Sequence, residues 1–191
     1  MKALPANRYV TFLSIAVVGC ALDLTSKAWV FADLGAPGGP TRWILQPYFG
    51  LQTSLNQGAL FGMGQGKVWL FAALSVAAAV GILYWLFVAR AAFDWLLTVA
   101  LGAVMAGILG NLYDRLGLWA VPGNPDQRVY AVRDWILFQY DNWVWPNFNL
   151  ADSFLVCGAA ILMWHAFRSP SGPESGKQGE TLAQGPMNNP G

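Results

Sequence analysis

"FAALSVAAAVGILYWLFVARAAFDWLLTVALGAVMAGILG", residues 71–110, carries no charge other than Arg90 and Asp94. A helix crossing the ~30 Å hydrocarbon core of a bilayer takes roughly 20 apolar residues. The stretch therefore reads as two membrane spans joined by a short link that Arg90 and Asp94 bracket. A link this short permits only a tight antiparallel pair of helices.

Outward from that pair, two further apolar runs, about 9 to 31 and 150 to 168, join the spans at 67 to 89 and 93 to 115. With 55% hydrophobic residues, 11% charged and ten tryptophans in 191 residues, the chain lies outside the soluble globular range. The expected fold class is an all-α membrane protein of four transmembrane helices, one domain over residues 1–168. An even number of spans puts both termini on one side. Lys2, Arg8, Arg90 and Arg168 make that side cytoplasmic by the positive-inside rule, although Arg42, Lys67, Arg128 and Arg133 in the two long loops weigh the other way.

Several function classes fall away on composition. A net charge of +1 without a basic run leaves no electrostatic footprint for nucleic acid. Cys20 and Cys157 sit inside apolar runs, not in loops where a disulfide framework is useful. His165 is the single histidine, so ligands for a metal are scarce, and neither metal nor cofactor is expected. The segment 169–191, rich in Gly, Pro and Ser, has too little apolar surface to offset its ordering entropy and is expected to be a disordered cytoplasmic tail.

The two loops on the far side differ from that tail. Residues 32–66 include "TRWILQPYFGLQTSLN", which is β-prone, and residues 116–149 hold Trp119, Trp135, Trp143 and Trp145. Tryptophan favours the membrane interface, so the loops are expected to form a small β-rich extracytoplasmic platform. At about 1.5 Å per residue, Asp23 lies in the outer half of span one. Asn111 and Asp114 close span three, Asp152 opens span four, and Asp134 lies in the loop just before it. The unusual acids converge on one layer.

Each motif has a structural alternative. Asp23 and Lys27 in "DLTSK" are spaced for an intrahelical ion pair, yet ionisable groups within spans tend to face a bundle interior; they read as support for a site. In "GNLYDR", Asn111, Asp114 and Arg115 make either a helix terminus at headgroup level or a shelf of hydrogen-bonding groups. "NQGALFG", with Asn56 and Gly58, is by default a turn whose amide would reach a substrate carbonyl. Asp134 in "AVRDWI" and Asp152 in "NFNLADS" have the helix cap as their ordinary alternative. Two carboxylates at one level can instead share a proton, one activating water while the other protonates a scissile carbonyl. "VVGC", residues 17–20, imitates a lipoprotein export signal, but the apolar run continues into further spans, which speaks against self-processing at Cys20.

In this order, "DLTSK", "NQGALFG", "GNLYDR", "VRDW" and "FNLADS" resemble the lipoprotein signal peptidase (signal peptidase II) family over residues 8–168. The resemblance implies a bacterial inner-membrane aspartyl endopeptidase, monomeric, with its site at the outer face. Such an enzyme removes signal peptides from diacylglyceryl-modified prolipoproteins just before the lipidated Cys, and its partners are membrane lipids and globomycin-type inhibitors. By motif, Asp134 and Asp152 would be catalytic. Asp23, Lys27, Asn56, Gly58, Asn111, Asp114, Arg115 and Asn149 would hold the site or the substrate. The segment between Arg115 and Asp134 is longer than the family usually has, its "PGNPDQ" reading as an inserted turn, which leaves Asp126 and Asp141 as competitors of Asp134.

Two other classes compete. Intramembrane Asp and Lys often line ion routes, although here no relay continues toward the cytoplasmic half. A Ser–Lys peptidase would need Ser26 and Lys27 together, and adjacent helical residues point different ways.

Overall fold

The computed structural model describes residues 3–58, 63–122 and 124–168; the expected tail, 169–191, lies outside them. Among the described residues four helices are long and apolar enough to cross a membrane: α1 (Ala6–Leu34), α2 (Val68–Leu83, prolonged by a π turn at Tyr84–Val88), α3 (Trp95–Arg115) and α4 (Leu150–Arg168). The chain is a multi-pass membrane protein. α1 overruns the expected span at both ends, because no residue stops it before Gly35, whose backbone at φ 79° suits glycine. At ~1.5 Å per residue its 29 residues reach beyond the bilayer core and carry Asp23 and Lys27 toward the loops.

The α2–α3 link turns where expected. Arg90 adopts a left-handed backbone, φ 66°, and Ala91–Phe93 form a 3₁₀ turn. Asp94 caps α3, accepting from the amides of Leu96 (2.8 Å) and Leu97 (3.2 Å), so α3 starts at Trp95 and not at residue 93. His165 near the end of α4 meets the same cap, Nε2 to Oδ2 2.7 Å.

α3 is the central helix. Its face of small residues admits α1 and α4 closely: a side chain at Gly107 would strike the Ala151 carbonyl oxygen and Leu155, and one at Gly158 of α4 would meet Val104 at 2.6 Å. Small residues are how helices approach in a bilayer, where no hydrophobic force drives them together.

At the other end, the loops build an antiparallel sheet in the order β1 (Arg42–Leu45), β2 (Phe49–Asn56), β5 (Val132–Tyr140), β6 (Trp143–Val144), with a separate hairpin of β3 (Ala120–Val121) and β4 (Asn124–Arg128). The first loop's β-prone stretch becomes β1 and β2. The longest strand, β5, comes from the second loop, and Asp134 lies on it rather than in a loop. The turn expected at "PGNPDQ" joins the two strands of a hairpin: Pro122 lies in the turn, and residues from Asn124 onward belong to β4. Trp143 is exposed as an interfacial tryptophan should be, but Trp119 is 7% exposed. Its indole N–H donates to the Ala131 carbonyl and its ring lies under Arg133, a core role in place of the expected interfacial one.

Candidate active site

"NFNLADS" is stitched to every neighbour of the site. Asn147 donates to the Gln52 carbonyl on β2 at 2.9 Å. Phe148 exchanges backbone hydrogen bonds with Ile136 of β5, 2.8 and 3.2 Å. Asn149 then caps α4: its Oδ1 accepts from the Asp152 amide (2.9 Å), and the Asp152 carboxylate accepts from the Asn149 amide (3.3 Å). This reciprocal arrangement is a capping box with Asp in the acidic position. The cap alternative for Asp152 is thus realised, and it does not exhaust the residue's contacts.

The Asn149 side chain also donates to Asp134 Oδ1 at 2.6 Å, so one asparagine touches both acids. Asp152 Oδ1 accepts from Asn111 Nδ2 at 2.9 Å. Asn56 adds a hydrogen bond to Asp134; it pairs with Val132 across the sheet, and Asp134 pairs with Ser54, which puts the two on one face.

Beneath the acids lies Lys27, fully buried. Its Nζ donates to Asn111 Oδ1 (3.0 Å) and is ion-paired with Asp23 Oδ2 (2.7 Å) and Asp114 Oδ2 (3.3 Å). Asp23 Oδ1 accepts from the Ala151 amide at 2.9 Å, so span one grips the first turn of α4. Gly110 makes room for this, because a side chain there would collide with the Asp23 carboxylate. Asp114 is further held by Arg133, backbone N to Oδ2 2.9 Å and Nη2 to Oδ1 2.7 Å. Asp23 and Asp114 are balanced by Lys27 and Arg133; an unbalanced charge here would cost several kcal/mol.

Gly58 and Arg115 form the rim. The Gly58 amide donates to the Asn56 side chain (2.9 Å) and its carbonyl accepts from Arg115 Nη2 (3.2 Å); residues 59–62 of the same motif lie outside the described residues. The Arg115 Nε is buried without a hydrogen-bond partner among the described residues. Burial, and next the charge of Asp152, push Asp134 up to about 7 against the pull of Asn149, Lys27 and Asn56.

All ten residues expected at the site therefore belong to one connected cluster. The competitors do not: Asp126 is exposed on β4, and Asp141 is exposed in the turn after β5. Arg133, which the motifs did not single out, belongs to the cluster. Ser26 donates to the Asp23 carbonyl of its own helix at 2.9 Å, and Lys27 is fully engaged elsewhere. From Asp152 a cavity of about 640 Å³ runs along α4, lined by Phe138, Trp143, Trp145, Phe148 and Cys157.

The model of the family described as "Signal peptidase (SPase) II" matches residues 15–168. The chain belongs to the signal peptidase II family. It is 51% identical over 182 residues to the lipoprotein signal peptidase of Rhodopirellula baltica, covering 94% of this chain and 82% of that one. It is 34% identical to that of Polynucleobacter necessarius, over 90% and 96% of the two chains. Two solved structures of bacterial membrane enzymes share the fold: one with TM-score 0.71 at 23% identity over 87% of this chain and 93% of that one, the other with 0.66 at 24% over 83% and 94%. Signal peptidase II membership makes the chain a peptidase and removes the transporter alternative.

Proposed function

We propose that this chain cleaves the signal peptide from diacylglyceryl-modified prolipoproteins just before the lipidated Cys, with Asp134 and Asp152 as the two carboxylates of an aspartyl mechanism. The observation that carries the reading is Asn149, whose side chain bonds Asp134 while it caps the helix turn that presents Asp152. Two acids tied to one residue cannot drift apart. Below about pH 7 Asp134 holds a proton; when the pair shares one proton, the ionised member takes a proton from water while the neutral member gives one to the scissile carbonyl. The water oxygen bonds to the carbonyl carbon; as the gem-diol collapses, one of its hydroxyls returns a proton to the second acid, the C–N bond breaks, and the departing amine takes the proton held by the first acid, which restores the pair.

The surroundings suit such a substrate. A signal peptide is itself an apolar helix, and the aromatic cavity beside Asp152 can take apolar groups next to the cleaved bond. A substrate seated there would displace water from beside Asp152, which strengthens the charge interactions inside. Arg115 sits at the rim with its Nη2 on the Gly58 carbonyl, and its guanidinium is suited to a substrate carbonyl there. The same reading puts the site at the outer face of the bacterial inner membrane, in a monomer, open to globomycin-type inhibitors.

The test is cleavage of a diacylglyceryl-modified prolipoprotein by the purified protein in detergent. Asp134→Asn and Asp152→Asn are each expected to lower kcat by at least ~10⁴-fold, while Asp126→Asn and Asp141→Asn keep wild-type rates. Retained activity in Asp134→Asn or Asp152→Asn would sink the mechanism, and a wild-type protein inert toward this substrate would sink the substrate assignment.

A further inference from the structure

Arg133 is 5% exposed and its surroundings are built around a guanidinium. Its backbone N donates to Asp114 Oδ2 (2.9 Å), and its Nε and Nη2 donate to Oδ1 (3.1 and 2.7 Å). On the other side its Cζ lies 4.8 Å from the ring centroid of Trp119. Trp119 is itself pinned through its N–H to the Ala131 carbonyl at 3.3 Å. It stands at the foot of the β3–β4 hairpin. Arg128 of that hairpin donates to the Gly117 carbonyl at 3.1 Å, and Tyr130, just beyond it, meets the Trp69 ring of α2 with centroids 5.2 Å apart.

We propose that Trp119 and Arg133 form a positioning clamp, through which the β3–β4 hairpin region sets the place of Asp134 and of the hydrogen bonds that hold Asp152. The inference rests on the two-acid reading above. Neighbouring residues of a strand point to opposite faces, so fixing Arg133 against Asp114 and Trp119 fixes the backbone that aims Asp134. A second path runs through Asp114, whose charge Lys27 and Arg133 share. Without the guanidinium, Asp114 draws on Lys27 alone. Lys27 is then pulled from Asn111 Oδ1, and it is Asn111 Nδ2 that holds Asp152.

The charged groups facing this centre are Asp23 and Lys27 from α1, Asp114 and Arg115 from α3, Asp152 from α4, and Arg133 with Asp134 from β5. Removing one cation from that set raises the proton affinity of the acids. A clamp with no part in aiming Asp134 would change stability and leave kcat alone.

The experiment uses the full-length protein in detergent with a diacylglyceryl-modified prolipoprotein, comparing wild type, Arg133→Met, Trp119→Leu and Trp119→Phe across pH. In Arg133→Met, kcat is expected to fall ~30-fold or more, as a misplacement of about an ångström does. KM should stay within about twofold, and the alkaline limb of the rate profile should move upward because a cation is gone. Trp119→Leu should lower kcat ~5-fold or more, a smaller displacement of the same kind. Trp119→Phe, which keeps a ring under the guanidinium, should stay near wild type. If wild type cleaves while Arg133→Met and Trp119→Leu keep wild-type kcat and pH profile, the clamp is overturned. Should Arg133→Met fail to fold, the two Trp119 variants decide: equal kcat in both overturns the proposal, and loss in Leu with retention in Phe upholds it. A wild type that cleaves nothing removes the two-acid reading and the clamp together, and the wild-type control shows this separately.

Discussion

Asp134 illustrates what a buried acid costs its own protein. Its affinity for a proton is raised from the ordinary carboxylate range to about 7 by burial and by Asp152, roughly three powers of ten, or about 4 kcal/mol at most. The sign follows from linkage. Below about pH 4 the group is protonated whether the chain is folded or not. Between about 4 and 7 only the unfolded chain releases the proton, so folded stability falls as pH rises through that window and stays lowered above it. Asp134→Asn removes the penalty. Its thermal midpoint in detergent should match wild type near pH 4 and exceed it at pH 8, by the equivalent of ~1–3 kcal/mol after relaxation; a midpoint lower than wild type at pH 8 would contradict the burial argument. On the proposed two-acid mechanism, wild-type activity should decline as pH rises through about 7, where Asp134 loses its proton. Most of this residue-scale picture was legible in the sequence: acids, amides and one lysine at span ends have few reasons to be there. Arg133 and Trp119 were not, because an arginine beside an acid in a polar loop reads as solvated. Only the folded contact with Asp114 and the indole reveals otherwise.

Among the elements, the helices were the easiest to read and the sheet the hardest, for a physical reason. Spans are announced by length and apolarity alone, and the 71–110 pair was recognisable with its link. β5 hides because Val132, Arg133 and Asp134 are all buried, so the alternation that marks a half-exposed strand is absent where the strand matters most. Its place between β2 and β6 follows from pairing with distant residues, which local pattern does not carry. The helical packing yields a prediction of its own. Gly107 and Gly158 lie where α3 and α4 approach, and a side chain at either meets backbone or neighbouring side chains, whereas Gly81 of α2 has nothing within 4 Å. Gly107→Val and Gly158→Val are each expected to cost about 1–3 kcal/mol by overpacking, seen as a lower midpoint. Gly81→Ala should be neutral or stabilising by up to ~1 kcal/mol, since glycine is a poor residue within a helix. Equal effects at all three positions would mean that the α3–α4 approach is looser than its contacts imply.

The whole molecule divides its chemistry between two ends. At one, Arg8 lies 4.5 Å over Trp95 and Arg168 lies 4.6 Å over Trp164, with Arg90 in the nearby α2–α3 link. At the other stand the sheet and the acids. A peptidase acting on exported precursors gains from this polarity only if the sheet end faces outward, where the bond next to an interfacial lipid would lie. Cationic residues flanking the short link favour the inside for the opposite end. The Arg42, Lys67, Arg128 and Arg133 side chains oppose that bias by number. Arg42 pairs with Asp33, however, and Arg133 lies buried on Asp114, so these two serve the fold of the platform. Orientation is testable without any assay of cleavage, in a variant lacking Cys20 and Cys157 and bearing one new cysteine at a time. In intact spheroplasts a membrane-impermeant maleimide should label Asp126→Cys on the exposed hairpin, and should reach Ala89→Cys beside the link only after the membrane is opened. The reverse pattern would place the acids on the cytoplasmic side, away from any exported precursor, and would overturn the orientation that the proposed reaction requires.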